Sequence, residues 1–161
     1  MVVLGLDSGI TGAIASCDSH GGYQVNDFET VVIPGDQKVK RRLSGALLRK
    51  QIRSMVPVGV KTLAVIEQLH MRPGNGGAAT FSLGFNTGLI KGVLEAEGID
   101  VVEVQPITWK GFYGLLGKDK RASIETAIKL CPELAYLLTR QMDHNRAESL
   151  LLAHYGQRKL T

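Results

Sequence analysis

The sequence predicts an α/β fold in which a mixed five-stranded sheet carries helices on both faces. Two observations support this prediction. Three strand-like segments follow one another directly, which is typical of an antiparallel meander, and the later strands alternate with helical segments, which favours parallel pairing. A chain of 161 residues, 44% of them hydrophobic, can bury the core of one such domain, which we expect to span 1–161.

The strands are predicted from their apolar runs. The first, "MVVLGL" (1–6), is apolar throughout, as expected of a strand that is buried on both faces. Gly9 and Gly12 bracket a turn into a second strand over 11–16. The alternating segment 23–33 predicts the third strand, and the remaining two are predicted over 61–68 and 99–106.

The helices are predicted from spacing. Leu43, Leu47 and Ile52 recur with helical periodicity, which predicts a helix over 43–55. The other helices are predicted over 81–98, 107–116, 119–131 and 144–157. Segment 34–42 is interpreted as a polar, basic connection, and 69–80 as a glycine-rich loop.

Three glycines stand four residues apart in the helix predicted over 81–98. Gly84, Gly88 and Gly92 form a smooth stripe, although each costs a helix up to about 1 kcal/mol relative to alanine. Such a stripe indicates that another backbone approaches closely. It is either that of a second copy of the chain or that of the chain's own sheet.

Two carboxylates end strands that look buried. Asp7 follows the first strand and Glu67 ends the fourth, so adjacent strands would place the two acids side by side. Two carboxylates that close need a cation or a shared proton. Glu148, in the first turns of the last helix, is a third candidate. Taken singly, Asp7 could be an ordinary turn residue and Glu148 a helix-dipole partner.

The composition indicates which cofactor, which kind of partner and which cellular compartment to expect. Carboxylates without a CxxC or HxxxH pair favour Mg²⁺, with Mn²⁺ as a substitute, over zinc. We expect no small-molecule cofactor. A net charge of +4 favours a polyanionic partner. The sequence contains no run of about 18 apolar residues, the length that a membrane span needs, so we expect no membrane partner. Two cysteines and a start without a basic signal segment predict a cytoplasmic protein of a bacterium or a phage-infected host, not a secreted one.

Three motifs carry a family resemblance. "GLDSGITGAIA", "AVIEQLHMRPGNG" and "RAESLLLAHYG" occur in an order and spacing that resemble RuvC-type Holliday junction resolvases, in their compact phage and organellar form. The resemblance implies a ribonuclease H-like fold and a homodimer. It also implies Mg²⁺-dependent paired nicking of four-way DNA junctions, an activity that serves DNA recombination and repair.

The resemblance also assigns the acidic residues. Asp7 and Glu67 match the family's first two acids, and Glu148 matches its last. The fourth ligand stays open between Asp143 and His144. Asp143 is the better Mg²⁺ ligand by residue type, whereas His144 lies one helical turn before Glu148 and faces the same way. Both are kept as catalytic candidates, and His144 could also position or deprotonate the attacking water.

The loop after the fourth strand would probe the DNA. The resemblance makes His70 and Met71 the tip residues that enter the junction, and Arg72 lies beside them. Trp109 is expected in the core and not on a base-stacking platform.

Basic clusters are expected to bind phosphates. Lys118 and Lys120 match the region where the family carries basic residues that assist catalysis, and Arg121 follows them. A second cluster, "KVKRR", covers 38–42. The simpler interpretation of such clusters is a solvated face.

Three alternative functions remain. Actin- and hexokinase-like ATPases begin with a similar strand and turn, but they need two such domains. A non-catalytic junction-binding module would keep the fold and lose the fourth ligand. A related nuclease would act on RNA or on other branched DNA.

Overall fold

The computed structural model describes residues 1–34, 40–69 and 76–161. Its strands are β1 (Val2–Leu6), β2 (Ala13–Asp18), β3 (Tyr23–Asp27), β4 (Thr30–Ile33), β5 (Lys40–Leu43), β6 (Thr62–Glu67) and β7 (Asp100–Val104). Five of them form the central sheet, in the order β3-β2-β1-β6-β7. The three N-terminal strands pair antiparallel, and β1, β6 and β7 pair parallel. The predicted mixed five-stranded sheet is therefore confirmed.

Helices cover both faces of this sheet, as predicted. They are α1 (Gly45–Met55), α2 (Gly77–Ala96), α3 (Pro106–Phe112), α4 (Lys120–Leu130) and α5 (His144–Lys159). Short 3-10 segments span Pro132–Leu137 and Gln141–Asp143. Within the described part of the chain, no helix is both long enough and apolar enough to cross a membrane.

Two hydrophobic cores lie on opposite faces of the sheet. Val3 of β1 belongs to the core that α3, α4 and α5 cover, whereas Leu4 belongs to the core under α1 and α2. Because successive side chains of a strand point to opposite faces, β1 is apolar at every position.

The segment predicted as the third strand is in fact two strands. β3 ends at Asp27, and β4 pairs with β5 in a separate two-stranded sheet. The bend is fixed where Phe28 donates its N–H to the Gly12 carbonyl and Glu29 donates its own to the Gln51 side chain. The prediction of a polar, basic connection over 34–42 was therefore wrong for its last residues, which belong to β5, and Leu43 also belongs to β5 and not to a helix.

Helix α5 lies directly on β1. A Cβ atom added to Gly5 would lie 2.2 Å from the Ser149 carbonyl oxygen and 2.4 Å from the Ala153 nitrogen. One added to Gly156 would lie 2.6 Å from methyl carbons of Val3 and Val65. Glycine at these points lets the helix approach the sheet closely, which brings Glu148 near the carboxyl end of β1.

The glycine stripe of α2 faces away from the chain's own sheet. A Cβ atom added to Gly84, Gly88 or Gly92 would meet no described heavy atom within 4 Å. Phe81 and Phe85, on the same helix, are 76% and 55% exposed. Close packing of these glycines against the chain's own sheet is thus excluded.

Candidate active site

The sheet places Asp7 and Glu67 side by side. In the parallel pair, Leu6 is opposite Ile66, and each of these residues is followed by one of the two acids. Asp7 is held by local bonds: the Gly9 N–H donates to its Oδ1 (3.0 Å), and its own N–H donates to Ser149 Oγ (3.2 Å). The bond from Gly9 is the one that an ordinary turn aspartate makes. Asp7 is therefore both a turn residue and a candidate site residue next to Glu67.

Helix α5 brings Glu148 to the same place. Asp7, Glu67 and Glu148 line one cleft with a volume of about 440 Å³. Its wall also carries a set of polar and basic side chains contributed by α3, by the segment before α4, by α4 itself and by the start of α5: Lys110, Lys118, Lys120, His144 and Asn145.

Two side chains orient the carboxylates. The Trp109 indole N–H donates to Glu67 Oε2 (2.9 Å), and the Ser123 hydroxyl donates to Glu148 Oε1 (3.3 Å). Trp109 is fully buried, as expected, but its polar edge also serves the cleft. Sequence reasoning missed Ser123. Its signal was a small polar residue on the buried face of α4, next to Ile124 and Ala127.

Lys110 stands between two of the acids. Its Nζ lies 3.6 Å from Glu67 Oε2 and 3.8 Å from Glu148 Oε1, and the ammonium sits 4.9 Å from the centre of the Trp109 ring. It therefore neutralises part of the negative charge of the cleft. This residue was not among the predicted site residues. The available signal was a lysine directly after the only tryptophan of the chain.

Burial makes two of the carboxylates reluctant to ionise. Burial raises the pKa of Asp7; the Gly9 amide opposes that rise and the Glu67 carboxylate adds to it. Burial also raises the pKa of Glu148, where Lys110 acts in the opposite direction and Asp7 and Glu67 increase the effect. Neighbouring carboxylates thus add to the cost of ionising Asp7 and Glu148, a cost that a bound cation would relieve.

The donor set fits a hard divalent cation, although its atoms are not arranged around one. Within residues 1–34, 40–69 and 76–161, no group of three His, Cys, Asp or Glu side chains has metal-binding geometry. Asp7, Glu67 and Glu148 nevertheless share a cleft, repel one another and offer carboxylate oxygens, the ligands that Mg²⁺ prefers.

His144 lines the cleft through one ring nitrogen. Its Nδ1 lies 3.0 Å from the Gln141 carbonyl oxygen, which only accepts, so Nδ1 carries the proton. Its Nε2 lies 2.9 Å from Nζ of Lys120, which only donates, so Nε2 is the acceptor. The lone pair of Nε2 therefore points into the cleft, where it accepts a hydrogen bond from Lys120 Nζ.

The structure does not bring Asp143 to the cleft. Its side chain is only 3% exposed and accepts bonds from the Arg140 backbone N–H (2.7 Å) and from Arg140 Nη2 (2.7 Å). Burial opposes its ionisation, but the hydrogen bonds and charge of Arg140 outweigh burial and lower the pKa. Asp143 borders a different groove, so its predicted role as a metal ligand has no support in this arrangement.

The fourth position before Glu148 is therefore filled by His144, and the third by Asn145. Both line the cleft, and the Asn145 amide donates to the Thr11 carbonyl oxygen (2.6 Å). This bond ties the start of α5 to the turn that follows β1.

The predicted DNA-binding residues fall into three groups. His70, Met71 and Arg72 lie outside the described residues. Lys118 and Lys120 line the cleft. Arg121 borders the adjoining groove, with its side chain 82% exposed and 3.4 Å from Glu125.

The second basic cluster lies on β5. Lys38 is outside the described residues, whereas Arg41 and Arg42 are exposed on the strand. Arg41 donates to the Thr30 hydroxyl across the two-stranded sheet (3.0 Å).

No family model matches the chain. A sequence relative, the chloroplastic Holliday junction resolvase MOC1 of Chlamydomonas reinhardtii, is 36% identical over 87 residues, which are 52% of this chain but only 10% of that protein.

Solved structures match almost the whole chain. Thermus thermophilus RuvC aligns with a TM-score of 0.54 at 17% identity, covering 98% of this chain and 96% of RuvC. The same protein in complex with a Holliday junction substrate gives 0.56 at 14% identity, covering 99% and 96%. The yeast mitochondrial Holliday junction resolvase Ydc2 gives 0.57 at 13% identity, covering 97% of this chain and 77% of Ydc2. The chain therefore has the fold of RuvC and of Ydc2.

Proposed function

We propose that the chain is a structure-specific endonuclease that resolves four-way DNA junctions by Mg²⁺-dependent phosphodiester hydrolysis. One observation carries the proposal: Asp7, Glu67 and Glu148 meet in a single cleft whose rim is basic. The fold shared with RuvC and Ydc2, and the local sequence match to MOC1, support the same substrate class.

The residues that would hold the metal are Asp7, Glu67 and Glu148, with His144 Nε2 as the fourth donor. When bound, Mg²⁺ supplies an activated water and stabilises the leaving oxygen of the cut strand. Trp109 and Ser123 hold two of the carboxylates in place. Such orienting bonds typically contribute 10- to 100-fold to metal affinity or activity.

The lysines of the cleft supply charge for the DNA. Lys110 lies near two carboxylates, and Lys118 and Lys120 stand on the rim. A metal held by these carboxylates would take over the charge compensation that Lys110 supplies, and Lys110 would then be available to face a phosphate oxygen. Ammonium groups suit this role because they bind phosphates as point charges.

Paired nicking calls for two active sites, so we infer a homodimer built on α2. The glycine stripe is open to solvent, and the exposed Phe81 and Phe85 rings stack with centroids 6.5 Å apart. A two-fold dimer presents the same face twice, which suits the near two-fold symmetry of a four-way junction.

A non-catalytic junction-binding module is the second candidate. Two observations favour it: Lys110 already neutralises part of the acidic cluster, and Asp143 is engaged by Arg140. Such a module would bind junctions without cutting them.

A substrate panel tests the proposal. The protein is incubated with Mg²⁺ and a labelled four-way junction, Y-fork, linear duplex or RNA–DNA hybrid. We expect symmetric nicks in the four-way junction. Preferential cutting of the hybrid or the fork would instead identify a nuclease of another specificity.

Single carboxylate variants assign the site. Asp7→Asn, Glu67→Gln and Glu148→Gln should each abolish nicking and retain junction binding. Asp100→Asn, at the opposite end of the parallel strands, is the matched control and should cut normally. Binding without nicking by the wild-type protein would support the binding module, and near-wild-type nicking by Asp7→Asn would refute the assignment.

A further inference from the structure

We infer that Asp143 is a positioning residue that fixes the ring orientation and tautomer of His144. This inference rests on the proposed function for its role in the reaction, but the contacts that support it are independent of that function. Asp143 precedes α5 and is followed directly by His144.

Asp143 closes a tight turn with Arg140. The Arg140 backbone N–H donates to Asp143 Oδ2 (2.7 Å), and the guanidinium donates to Oδ1 from Nε (3.1 Å) and Nη2 (2.7 Å). Paired guanidinium bonds to one carboxylate are both strong and directional. The 3-10 segment Gln141–Asp143 is therefore locked by its own last side chain.

Arg146 anchors this turn to the sheet. Its guanidinium donates to both carboxylate oxygens of Asp27 (2.6 Å each) and to the Leu137 carbonyl oxygen (3.0 Å), and it lies 3.8 Å from Asp143 Oδ1. An ion-pair chain thus runs from the end of β3 through Arg146 and Asp143 to Arg140.

The turn transmits its geometry to the imidazole. Gln141 lies inside the locked turn, and its carbonyl accepts the Nδ1–H of His144. That bond leaves Nε2 unprotonated and facing the cleft, where it meets Lys120. The hydrogen-bond partner of one ring nitrogen decides whether the other nitrogen is available to a ligand or a proton. If the Asp143 contacts are lost, the Gln141 carbonyl is free to move and the imidazole loses its fixed tautomer.

Nuclear magnetic resonance of the histidine rings tests the inference without any reliance on nuclease activity. Long-range ¹H–¹⁵N spectra are recorded in mildly alkaline buffer, in which an ordinary imidazole is neutral. The His144 signals are assigned by their loss in His144→Ala. We expect a single Nδ1-protonated form in the wild type and in Asp100→Asn, and a mixture of both tautomers in Asp143→Asn.

A milder variant covers the case in which Asp143→Asn fails to fold. Arg140→Gln removes the guanidinium from a side chain that is 57% exposed and keeps the backbone bond to Asp143. It should shift the tautomer population in the same direction but less far. Wild-type His144 signals in a folded Asp143→Asn or Arg140→Gln protein would overturn the inference.

A double-mutant cycle tests the same inference in the reaction. Asp143→Asn alone should slow junction nicking about 10- to 100-fold, the range typical of residues that orient a ligand. In the His144→Ala background it should change the rate less than about two-fold, because Asp143 acts through that ring. An equal loss in both backgrounds would show that Asp143 acts independently of His144 and would overturn the inference. A wild type that cuts none of the substrates would refute the proposed function, and the ring spectra would still decide the role of Asp143.

Discussion

The indole N–H of Trp109 donates a 2.9 Å hydrogen bond to Oε2 of Glu67, the oxygen that also lies 3.6 Å from Lys110. A fully buried aromatic residue of α3 therefore fixes the direction of a carboxylate at the end of β6. Trp109 thus contributes both to the packing of the core and to the geometry of the cleft.

Trp109→Phe should separate these two roles. Loss of the N–H donor should reduce metal affinity or nicking about 10- to 100-fold. The smaller ring should reduce the free energy of unfolding by about 1–3 kcal/mol. A Mg²⁺ titration of junction nicking and thermal unfolding measure the two effects, with Phe112→Leu on the exposed side of α3 as the control. An unchanged Mg²⁺ response in Trp109→Phe would show that the bond does not orient Glu67.

Asp7→Asn should stabilise the metal-free protein at neutral pH. The pKa of Asp7 is raised above its ordinary 3.8, so between these two values the folded state binds more protons than the unfolded state. The free energy of unfolding therefore falls as pH rises through this interval. The amide of Asn carries no charge and can still accept from Gly9.

Urea unfolding in a chelator at several pH values measures this effect. Asp7→Asn and Glu148→Gln should exceed the wild type at neutral pH, and their advantage should vanish in acid, where the wild-type carboxyl groups are protonated. Added Mg²⁺ should stabilise the wild type more than either variant. Lower stability of both variants at neutral pH would show that these carboxylates are not a source of strain.

Gly5→Ala should destabilise the fold and displace Glu148. The new methyl group would collide with backbone atoms of α5 at Ser149 and Ala153, which cannot rotate away. Overpacking of this kind costs about 1–3 kcal/mol. Gly111→Ala in α3 is the matched control because a Cβ atom there would make only an ordinary contact, 3.7 Å from Leu116 Cδ1. Chemical denaturation of the two variants should place them on opposite sides of the wild type.

Gly88→Leu should dissociate the proposed dimer without unfolding the chain. The residue is exposed, so a leucine fits the monomer but blocks close approach of a second helix. Gly88→Ala is the control, since it adds only a methyl group and raises helix propensity by about 1 kcal/mol. Sedimentation measures the assembly state, and a monomeric variant should lose coordinated double cutting. A fully dimeric Gly88→Leu protein would move the interface away from this stripe.

Junction binding should depend steeply on salt. Each phosphate contact contributes a slope of about −0.9 in log K against log salt. Combined substitution of Lys118, Lys120 and Arg121 by alanine should flatten the slope by about two to three units if all three bind phosphates. The Arg41 and Arg42 pair is tested separately, and Arg49→Ala on α1 is the control. Identical slopes in all variants would assign the DNA surface elsewhere.

Much of the cleft could be predicted because its key signals are local. Asp7 and Glu67 each follow an apolar run, and parallel pairing of those two strands is enough to join them. The pairing of β4 with β5 could not be predicted in this way, because it depends on where the chain bends. That bend is set by bonds from residues near Phe28 to Gly12 and Gln51, which are distant in sequence.

The corner before α5 could not be resolved from the sequence for a similar reason. Residue type favoured Asp143 and helical register favoured His144. The arginines at 140 and 146 enclose the Asp143 carboxylate, and neither residue type nor helical register reports that contact. Lys110 was missed because its contacts depend on the placement of α3 relative to β6 and α5, which periodicity does not report.

The bond from the Asp7 N–H to Ser149 Oγ joins residues 142 positions apart. During synthesis, the first acid of the cleft therefore emerges from the ribosome long before the helix that completes it. A nascent chain that has not yet released α5 has neither Glu148 nor His144 in the cleft. The cleft is therefore complete only when α5 has packed against β1, because Glu148 and His144 both lie on that helix.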